Sequence, residues 1–230
     1  MTLVIAAKYR DNVLCGADGQ VTIDPYGMKR EYAKKLFKAT DYVCILLYGT
    51  LEIGNYVIEK YIRKIRNRAK GVTYIANDLS NFCKQEIAQQ LRPFRNFLSL
   101  SPLDLFSFEK IGFGVIVAGL DKQRNRFKPE IYVLESDSLF APQQPQQNYV
   151  VRGKWILADH MFNREFKNPD RVITLPKLTD LLLSAIHETS EVDIHVGRPS
   201  QLVLIDSRGC HYKDNDIEEF YEKMEEQEEL

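Results

Sequence analysis

The sequence predicts an α+β fold in which antiparallel sheets are covered by helices on both sides. Two apolar runs at the start, Leu3–Tyr9 and Asn12–Ala17, are separated by a polar turn, which is typical of a β-hairpin. From Ile53 the apolar residues recur every four positions, which indicates amphipathic helices. Strand-like runs then return, and the order becomes strands, two helices, strands, two helices, strands.

Each later element follows from the same two periodicities. Further strands are predicted at Lys35–Ala39, Tyr42–Leu47, Ile111–Asp121, Pro129–Glu135, Tyr149–Val151 and Gln201–Asp206. Helices are predicted at Thr50–Arg68, Thr73–Leu91 and Lys154–Phe166, with a fourth after Pro176. Because no linker rich in proline, glycine or serine divides the chain, we expect one domain over residues 1–212, followed by an acidic tail over residues 213–230.

Composition limits the class of protein. The 230 residues are 44% hydrophobic, enough for one sizeable core, yet no apolar run approaches the ~20 residues of a membrane span. Lys8 interrupts the first apolar run and no basic segment precedes it, so the start does not resemble a signal peptide. The four cysteines show no CxxC spacing, so we expect free buried thiols and neither a metal nor a cofactor. We therefore expect a cytoplasmic protein that does not bind membranes.

The net charge of −1 conceals an uneven distribution of charge. Residues 213–230 carry nine acidic and two basic side chains, so the rest of the chain is positive, with a basic stretch at Lys60–Lys70. Nucleic-acid binding would require basic residues on one face, interleaved with aromatic side chains that stack on bases. Here Tyr61, Ile62 and Ile65 fall on the core side of a predicted helix, so we expect a solvated basic face and no nucleic-acid partner.

Residue 2 is a threonine, and removal of Met1 makes it the N-terminal residue. A free N-terminal threonine carries a hydroxyl nucleophile and, on the same residue, an amine base with a pKa of about 7.7–8. We expect Met1 to be removed because Thr2 is small. Such chemistry also needs a cation that favours the ionised hydroxyl and a carboxylate that holds this cation in place.

The sequence offers both groups, and also a donor for the reacting carbonyl. Asp18 follows the second strand of the opening hairpin, and the run AKKLFKATDYV brings a lysine to the start of the third strand. Gly49, in LLYGTLE, lies between a strand and a helix, where its backbone N–H can stabilise an oxyanion. The residues alone leave the choice between Lys34 and Lys35 open.

The segments TLVIAAKYRDNVLCGADGQVT, KKLF and YGTLEIGNYVIEKYIR resemble the first third of proteasome β subunits and of their bacterial relative, the HslV peptidase. The resemblance implies a four-layer αββα sandwich of the N-terminal-nucleophile class, with two antiparallel sheets flanked by helices. It implies Thr2 as the nucleophile, Asp18 as the orienting carboxylate and Gly49 as the oxyanion donor. The cation is expected to be Lys35, with Lys34 as the alternative because a gapless alignment from the N-terminus reaches it.

The later part of the chain both matches this family and departs from it. Asp193 falls where the family has an aspartate that supports the threonine amine. Two serines complete the family's site, but here the first falls at Arg152 or Lys154 and the second at Val196, so neither position offers a hydroxyl. A cation beside the amine would lower its basicity by like-charge repulsion.

The resemblance also implies a substrate pocket and partners. The residues near the pocket for the side chain before the scissile bond would be Val21, Ala33, Leu47 and Leu51, whose apolar character favours small or medium apolar side chains. The expected activity is that of a threonine-type peptidase or amidohydrolase that acts on peptide or protein substrates within a homo-oligomeric ring. Whether an ATPase unfoldase supplies the ring is left open by the sequence.

Two alternative functions stay open. An acyl-ester on Thr2 can also pass to an amine, which would make the protein a peptide transferase or ligase. A non-catalytic ring-forming subunit would keep the fold without the chemistry, but such subunits usually cover the threonine with an N-terminal extension that this sequence lacks. We therefore expect an enzyme, and we expect replacement of Lys35 by alanine to abolish acylation while leaving the fold intact.

Overall fold

The structure, a computed structural model, describes residues 2–22, 30–65, 70–91, 112–124, 126–167 and 173–228. Within these residues the strands are β1 (Leu3–Tyr9), β2 (Asn12–Asp18), β3 (Gln20–Thr22), β4 (Arg30–Tyr32), β5 (Leu36–Thr40), β6 (Val43–Gly49), β7 (Phe113–Gln123), β8 (Arg126–Glu135), β9 (Tyr149–Gly153), β10 (Ser200–Asp206) and β11 (Gly209–Tyr212). The helices are α1 (Leu51–Lys64), α2 (Val72–Leu91), α3 (Ile156–Phe166), α4 (Leu175–Val192) and α5 (Asp214–Glu228).

Two antiparallel sheets organise the fold. The first sheet has the strand order β11-β10-β2-β1-β9 and the second has the order β5-β6-β7-β8, while β3 and β4 form a separate two-stranded ribbon. The opening hairpin pairs Val4 with Ala17, and β10 pairs Ser200 with Asp18 along the other edge of β2. The hairpin therefore lies inside the first sheet, and Thr2, which precedes β1, lies beside the end of β2.

Three apolar clusters arrange the sheets and helices in layers. Between the two sheets lie side chains such as Val4, Cys15 and Ile116. The opposite face of the second sheet packs on α1 and α2, and the opposite face of the first sheet packs on α3 and α4. Because strand side chains alternate between two faces, each sheet contributes to an inner and an outer core. The architecture is thus α+β, with two packed antiparallel sheets and helices outside, as the sequence predicts.

Helix α1 follows the predicted apolar period over most of its length. Tyr61 is buried against the second sheet, as expected for the core side of this helix. The helix ends at Lys64 instead of Arg68, because Ile65 already adopts extended backbone angles. The remainder of the predicted helix, residues 66–68, lies outside the described part of the chain.

Other differences from the predicted elements concern short segments and boundaries. The prediction missed β3, β4 and β11, since segments of three or four residues are too short to show a period. Helix α3 begins at Ile156 instead of Lys154, and β5 begins at Leu36 instead of Lys35. Lys35 and Lys154 thus lie just before β5 and α3, and both contribute to the site described below.

The acidic tail forms helix α5, and its first turns are attached to the body of the protein. Ile217, Phe220 and Tyr221 pack against the outer core of the first sheet. The Arg198 guanidinium lies 3.7 Å from the centroid of the Tyr221 ring, a cation–π contact. These contacts attach the first turns of the tail to the domain, which its acidic composition does not predict.

No helix in the described ranges combines the length and the apolar character that crossing a membrane requires. The cysteines Cys15, Cys44, Cys83 and Cys210 are free, and the first three are buried. Burial raises the pKa of the Cys15 thiol, so this side chain stays protonated and behaves as a small apolar residue near neutral pH.

Candidate active site

The end of β2 and the start of β5 bring an aspartate and a lysine together in the protein interior. Asp18 is the last residue of β2, Lys35 immediately precedes β5, and neither residue is exposed to solvent. Lys35 Nζ donates hydrogen bonds to Asp18 Oδ1 at 2.8 Å and to Gln20 O at 2.6 Å. Since a buried ion pair is favourable only where further hydrogen bonds satisfy both groups, the surrounding contacts matter.

Backbone and side-chain contacts hold this pair from two directions. The N–H of Leu3 donates to Asp18 Oδ1 at 2.8 Å, so the pair is bound to the residue that follows Thr2. Gln201 Oε1 accepts from the N–H of Lys35 at 3.0 Å, across 166 positions of sequence. Sequence reasoning missed Gln201. The available signal was a polar residue at the start of an otherwise apolar strand.

The structure places Lys35, and not Lys34, beside Asp18. Lys34 is exposed, and its Nζ lies 5.5 Å from the centroid of the Phe37 ring. Adjacent residues in extended backbone direct their side chains to opposite sides, so one lysine is buried while its neighbour reaches solvent. The geometry therefore favours Lys35 among the two lysines that the sequence offers.

Burial shifts the pKa of each partner in the direction that favours its neutral form. Desolvation lowers the pKa of Lys35, and the charge of Asp18 offsets only part of this shift. Desolvation likewise raises the pKa of Asp18, against the opposing effect of Lys35 and of the Leu3 N–H. A lysine with a lowered pKa exchanges its proton more readily near neutral pH than an ordinary lysine does. A positive charge held at this position favours the ionised form of a neighbouring hydroxyl.

Thr2 lies at the start of β1, and only 1% of its surface is exposed. Its carbonyl accepts a hydrogen bond from the N–H of Lys154 at 2.8 Å. Gly153 has a φ of +87°, and a Cβ atom there would approach Thr2 O to 1.7 Å, so this close contact requires glycine. Thr2 Oγ1 is buried and has no hydrogen-bond partner among the described residues. The hydroxyl therefore keeps its hydrogen-bonding capacity for another group.

Gly49 ends β6 with a φ of +89°, a conformation that glycine adopts without strain. On one edge of β6 the Thr50 N–H donates to Gly112 O at 2.7 Å, and on the other the Leu47 N–H donates to Lys35 O at 2.9 Å. Because N–H groups alternate between the two edges of a strand, the N–H of Gly49 is directed towards the Lys35 edge. A backbone donor at this position can stabilise an oxyanion.

Asp193 follows the last turn of α4 and is bound on both carboxylate oxygens. Lys154 Nζ lies 2.8 Å from Oδ2, and the N–H of His195 donates to Oδ1 at 2.9 Å. Partial desolvation alone raises the pKa of Asp193, but the hydrogen bonds from Lys154 and His195 outweigh it, so the pKa lies below its ordinary value. Lys154 thereby connects Asp193, through its own backbone N–H, to the carbonyl of Thr2.

Arg152 and Lys154, the two candidates for the first serine position, have different partners. Arg152 Nε donates to Glu135 Oε1 at 3.1 Å, and the hydroxyl of Tyr48 donates to the same oxygen at 2.6 Å. The side chain of Lys154 instead makes the contact with the α4 end described above. Val196, at the second serine position, is buried in the outer core of the first sheet. Of these residues, Lys154 is the one whose backbone N–H is bound to the carbonyl of Thr2, while its ammonium group is bound to Asp193.

The four residues expected near a substrate pocket have different environments. Ala33 and Leu51 are half-buried, so part of each remains accessible. Leu47 is fully buried and packs against Gly54 of α1, because its position on β6 directs the side chain to the outer core. Val21 lies in β3, and its side chain falls outside what the structure describes. Of the side chains that are described, only Ala33 and Leu51 can contact a ligand without rearrangement of the core.

No protein-family model matches this chain, and no curated protein matches it. The geometry around Thr2, Asp18 and Lys35, together with the resemblance of the opening segments, is therefore the basis for assigning a function.

Proposed function

We propose that this protein is a threonine peptidase of the N-terminal-nucleophile class, with the αββα sandwich of the proteasome β and HslV family. The observation that supports the proposal most directly is the buried Asp18–Lys35 pair, which is hydrogen-bonded to the residue after Thr2. The Thr2 hydroxyl without a partner among the described residues and the Gly49 N–H on the Lys35 edge give further support. Two antiparallel sheets between helices are compatible with this fold.

The proposed reaction begins with the removal of Met1, which frees the α-amine of Thr2. Thr2 Oγ1 attacks the carbonyl carbon of a peptide bond, and its proton passes to the α-amine while Lys35 favours the ionised oxygen. The Gly49 N–H stabilises the oxyanion that forms. The carbon–nitrogen bond then breaks, the leaving nitrogen takes the proton, and an ester remains on Thr2. Water cleaves this ester, and Oγ1 regains a proton.

Peptide transfer is the second candidate function, and the position of Lys154 favours it. The backbone N–H of Lys154 is bound to Thr2, and its ammonium group is bound to Asp193. The carboxylate of Asp193 offsets the charge of this ammonium group, so what Lys154 offers to an incoming amine is a position beside Thr2, fixed by the backbone contact. Such an amine competes with water for the ester on Thr2.

We further infer that copies of this chain assemble into a closed ring in the cytoplasm. A peptidase nucleophile needs to be separated from other cellular proteins, and a ring repeats one heterologous interface until it closes. The outer surfaces of α1 and α2 offer extended area for that interface. Light scattering at micromolar concentration tests this inference, and a strict monomer would contradict it and favour a hydrolase or transferase of small substrates.

An intact-mass measurement tests the assignment of the nucleophile. Protein purified from a normal cytosol is expected to lack Met1, and a peptide β-lactone is expected to add its full mass to Thr2. Opening of the lactone ring by Oγ1 forms the ester, so Thr2→Ala is the matched control that stays unmodified. Complete retention of Met1, or equal labelling of the Thr2→Ala variant, would show that Thr2 is not the nucleophile.

A further inference from the structure

A groove lies beside Thr2 on the side away from Asp18. In the first sheet β2 and β9 flank β1 on opposite edges, so Asp18 at the end of β2 and Gly153 at the end of β9 lie on opposite sides of Thr2. Gly153 and Lys154 form part of a groove of about 690 Å³ that lies between α3 and the end of α4. This volume is within the range of sites that bind small ligands.

Apolar side chains of this groove are exposed to solvent. Ile156 at the start of α3 and Val192 at the end of α4 are 75% and 74% exposed, and Trp155 is 49% exposed. Single exposed apolar residues are ordinary, whereas several grouped around a concave surface are typical of a binding site. The groove therefore offers an apolar surface that is continuous with the backbone contact between Lys154 and Thr2.

Polar groups accompany this apolar surface. Lys154 Nζ is bound to Asp193 Oδ2, and because an ammonium group has three hydrogens it retains further donors for a ligand. Asn163 lines the same groove, and its Oδ1 has no hydrogen-bond partner among the described residues. A donor and an acceptor beside apolar side chains match a ligand that carries both a peptide group and an apolar side chain.

We propose that this groove binds the apolar first residue of the peptide segment that leaves after cleavage. The inference rests on the proposed function, which supplies the direction of the substrate. The acyl segment lies on the side of Lys35, towards which the Gly49 N–H is directed, so the segment beyond the scissile bond extends to the opposite side, where Gly153 lies.

An amine that attacks the ester on Thr2 enters the same groove, because attack and departure are the two directions of one step. In cleavage, the bond between the acyl carbon and the leaving nitrogen breaks, and this nitrogen gains one proton. In transfer, a neutral amine forms that bond and loses one proton, while the ester bond between the acyl carbon and Thr2 Oγ1 breaks and Oγ1 gains one proton. The groove therefore selects the first residue of the leaving peptide and the incoming amine by the same apolar contacts.

Trp155, the single tryptophan of the chain, provides a readout that does not depend on catalysis. We expect phenylalanine amide to change the emission of Trp155 in a saturable manner, and we expect glycine amide to bind about tenfold more weakly because it lacks the apolar side chain. Equal affinity for the two amides, or an absence of any saturable change with phenylalanine amide, would overturn the proposal.

Two exposed residues allow a variant that leaves the core and the nucleophile untouched. The double variant Ile156→Ser and Val192→Ser is expected to weaken phenylalanine amide about tenfold, through lost apolar contact. Tyr212→Ser is the matched control, since Tyr212 is 45% exposed but belongs to β11, at the other edge of the first sheet. An unchanged affinity in the double variant would refute the assigned groove.

A transfer assay connects the groove to the chemistry. With a peptide ester as acyl donor, phenylalanine amide is expected to divert the acyl group from water to the amine, and the double variant is expected to lose this preference over glycine amide. If the protein binds phenylalanine amide but is never acylated, the peptidase proposal is overturned, whereas the assignment of the groove as a binding site for apolar amines is supported. If Ile156→Asp with Val192→Asp dissociates an oligomer, the groove is a contact between copies, and the proposal fails.

Discussion

Two ion pairs are connected to the backbone around Thr2, one through the N–H of Leu3 and the other through the N–H of Lys154. They have the same contact distance, but one pair is buried and the other is partly exposed to solvent. The Asp18–Lys35 pair has a distance of 2.8 Å, and both side chains are fully buried. The Asp193–Lys154 pair also has a distance of 2.8 Å, but its side chains are 18% and 30% exposed. In the first pair, desolvation lowers the pKa of the lysine and raises that of the aspartate. In the second, the pKa of the aspartate is lowered.

Because the two distances are equal, the difference in pKa shifts is due to burial and not to distance. In a fully buried pair each charge depends on its partner, so loss of one partner is strongly destabilising. A partly hydrated pair keeps both charges at little cost, which suits positioning and ligand contact. If burial is the cause, substitutions at the buried pair should have large effects and substitutions at the partly exposed pair small ones.

The largest effect is expected on acylation. Lys35→Met removes the charge that favours the ionised hydroxyl, so the rate of Thr2 modification by a β-lactone should fall by about 10²–10³-fold, the usual loss when one preorganised electrostatic group is removed. Lys34→Met is the matched control and should react at the wild-type rate, since Lys34 is exposed. Equal losses in the two variants would remove the basis for distinguishing the lysines.

The same substitution is expected to destabilise the protein, contrary to the sequence-based expectation that loss of Lys35 leaves the fold intact. Lys35 is fully buried, so Lys35→Met strands the Asp18 carboxylate and should lower the free energy of unfolding by about 3–5 kcal/mol. Asp18→Asn in the same chain should recover part of this loss, because an amide oxygen can still accept from Leu3. Denaturant unfolding measures both values, and a loss below about 1 kcal/mol, typical of exposed pairs, would contradict the dry environment.

An intermediate effect is expected at Gly153, which lies against the carbonyl of Thr2. A Cβ atom at this position would lie 1.7 Å from Thr2 O, and the φ of +87° disfavours alanine. Gly153→Ala should therefore displace Thr2 and slow lactone modification by up to about 10²-fold, as expected for a displacement near 1 Å. Val151→Ala in the same strand serves as a control, and an unchanged rate in Gly153→Ala would show that the contact does not position Thr2.

The smallest effect is expected at the partly exposed pair. Lys154→Ala should lower the free energy of unfolding by about 0.2–1 kcal/mol, and added salt should reduce the difference. Because the pKa of Asp193 is lowered on folding, its stabilising contribution is present above about pH 4 and is lost as the pH falls through the folded-state value. Asp193→Asn should therefore differ from the wild type at neutral pH and converge with it in acid. A difference that grows in acid would contradict the sign of this shift.

Lys35 gives a pH dependence of the same sign as that of Asp193, but in the alkaline range. The pKa of Lys35 is lowered on folding, so the unfolded chain binds more protons between the folded-state value and the ordinary value of about 10.4. The contribution of Lys35 to stability therefore rises with pH across that interval. The opposite trend belongs to Asp18, whose pKa is raised on folding, so its contribution to stability falls as the pH rises from about 4 through the folded-state value. This trend distinguishes the buried aspartate from Asp193.

Much of the fold could be predicted because its signals are local. The period of four identifies α1, and the alternation of apolar residues identifies the opening hairpin, since both depend on neighbours within a few positions. Strand β3 was missed because three residues carry no period. Gln201 was missed because its importance lies in a hydrogen bond to Lys35, 166 positions away, which no local pattern reports.

Short segments of the sequence are enough to predict the α+β class and the opening hairpin, because hydrophobic periodicity and tight turns depend on neighbouring residues. The pairing within this hairpin brings Asp18 close to the start of β1. It takes the packed structure to bury Lys35, to leave Lys34 in solvent and to bring the backbone N–H of Lys154 to the carbonyl of Thr2. These choices depend on which side chains lose water when distant segments pack together. Because the desolvation of a side chain depends on residues that are distant in sequence, it cannot be predicted from any single segment.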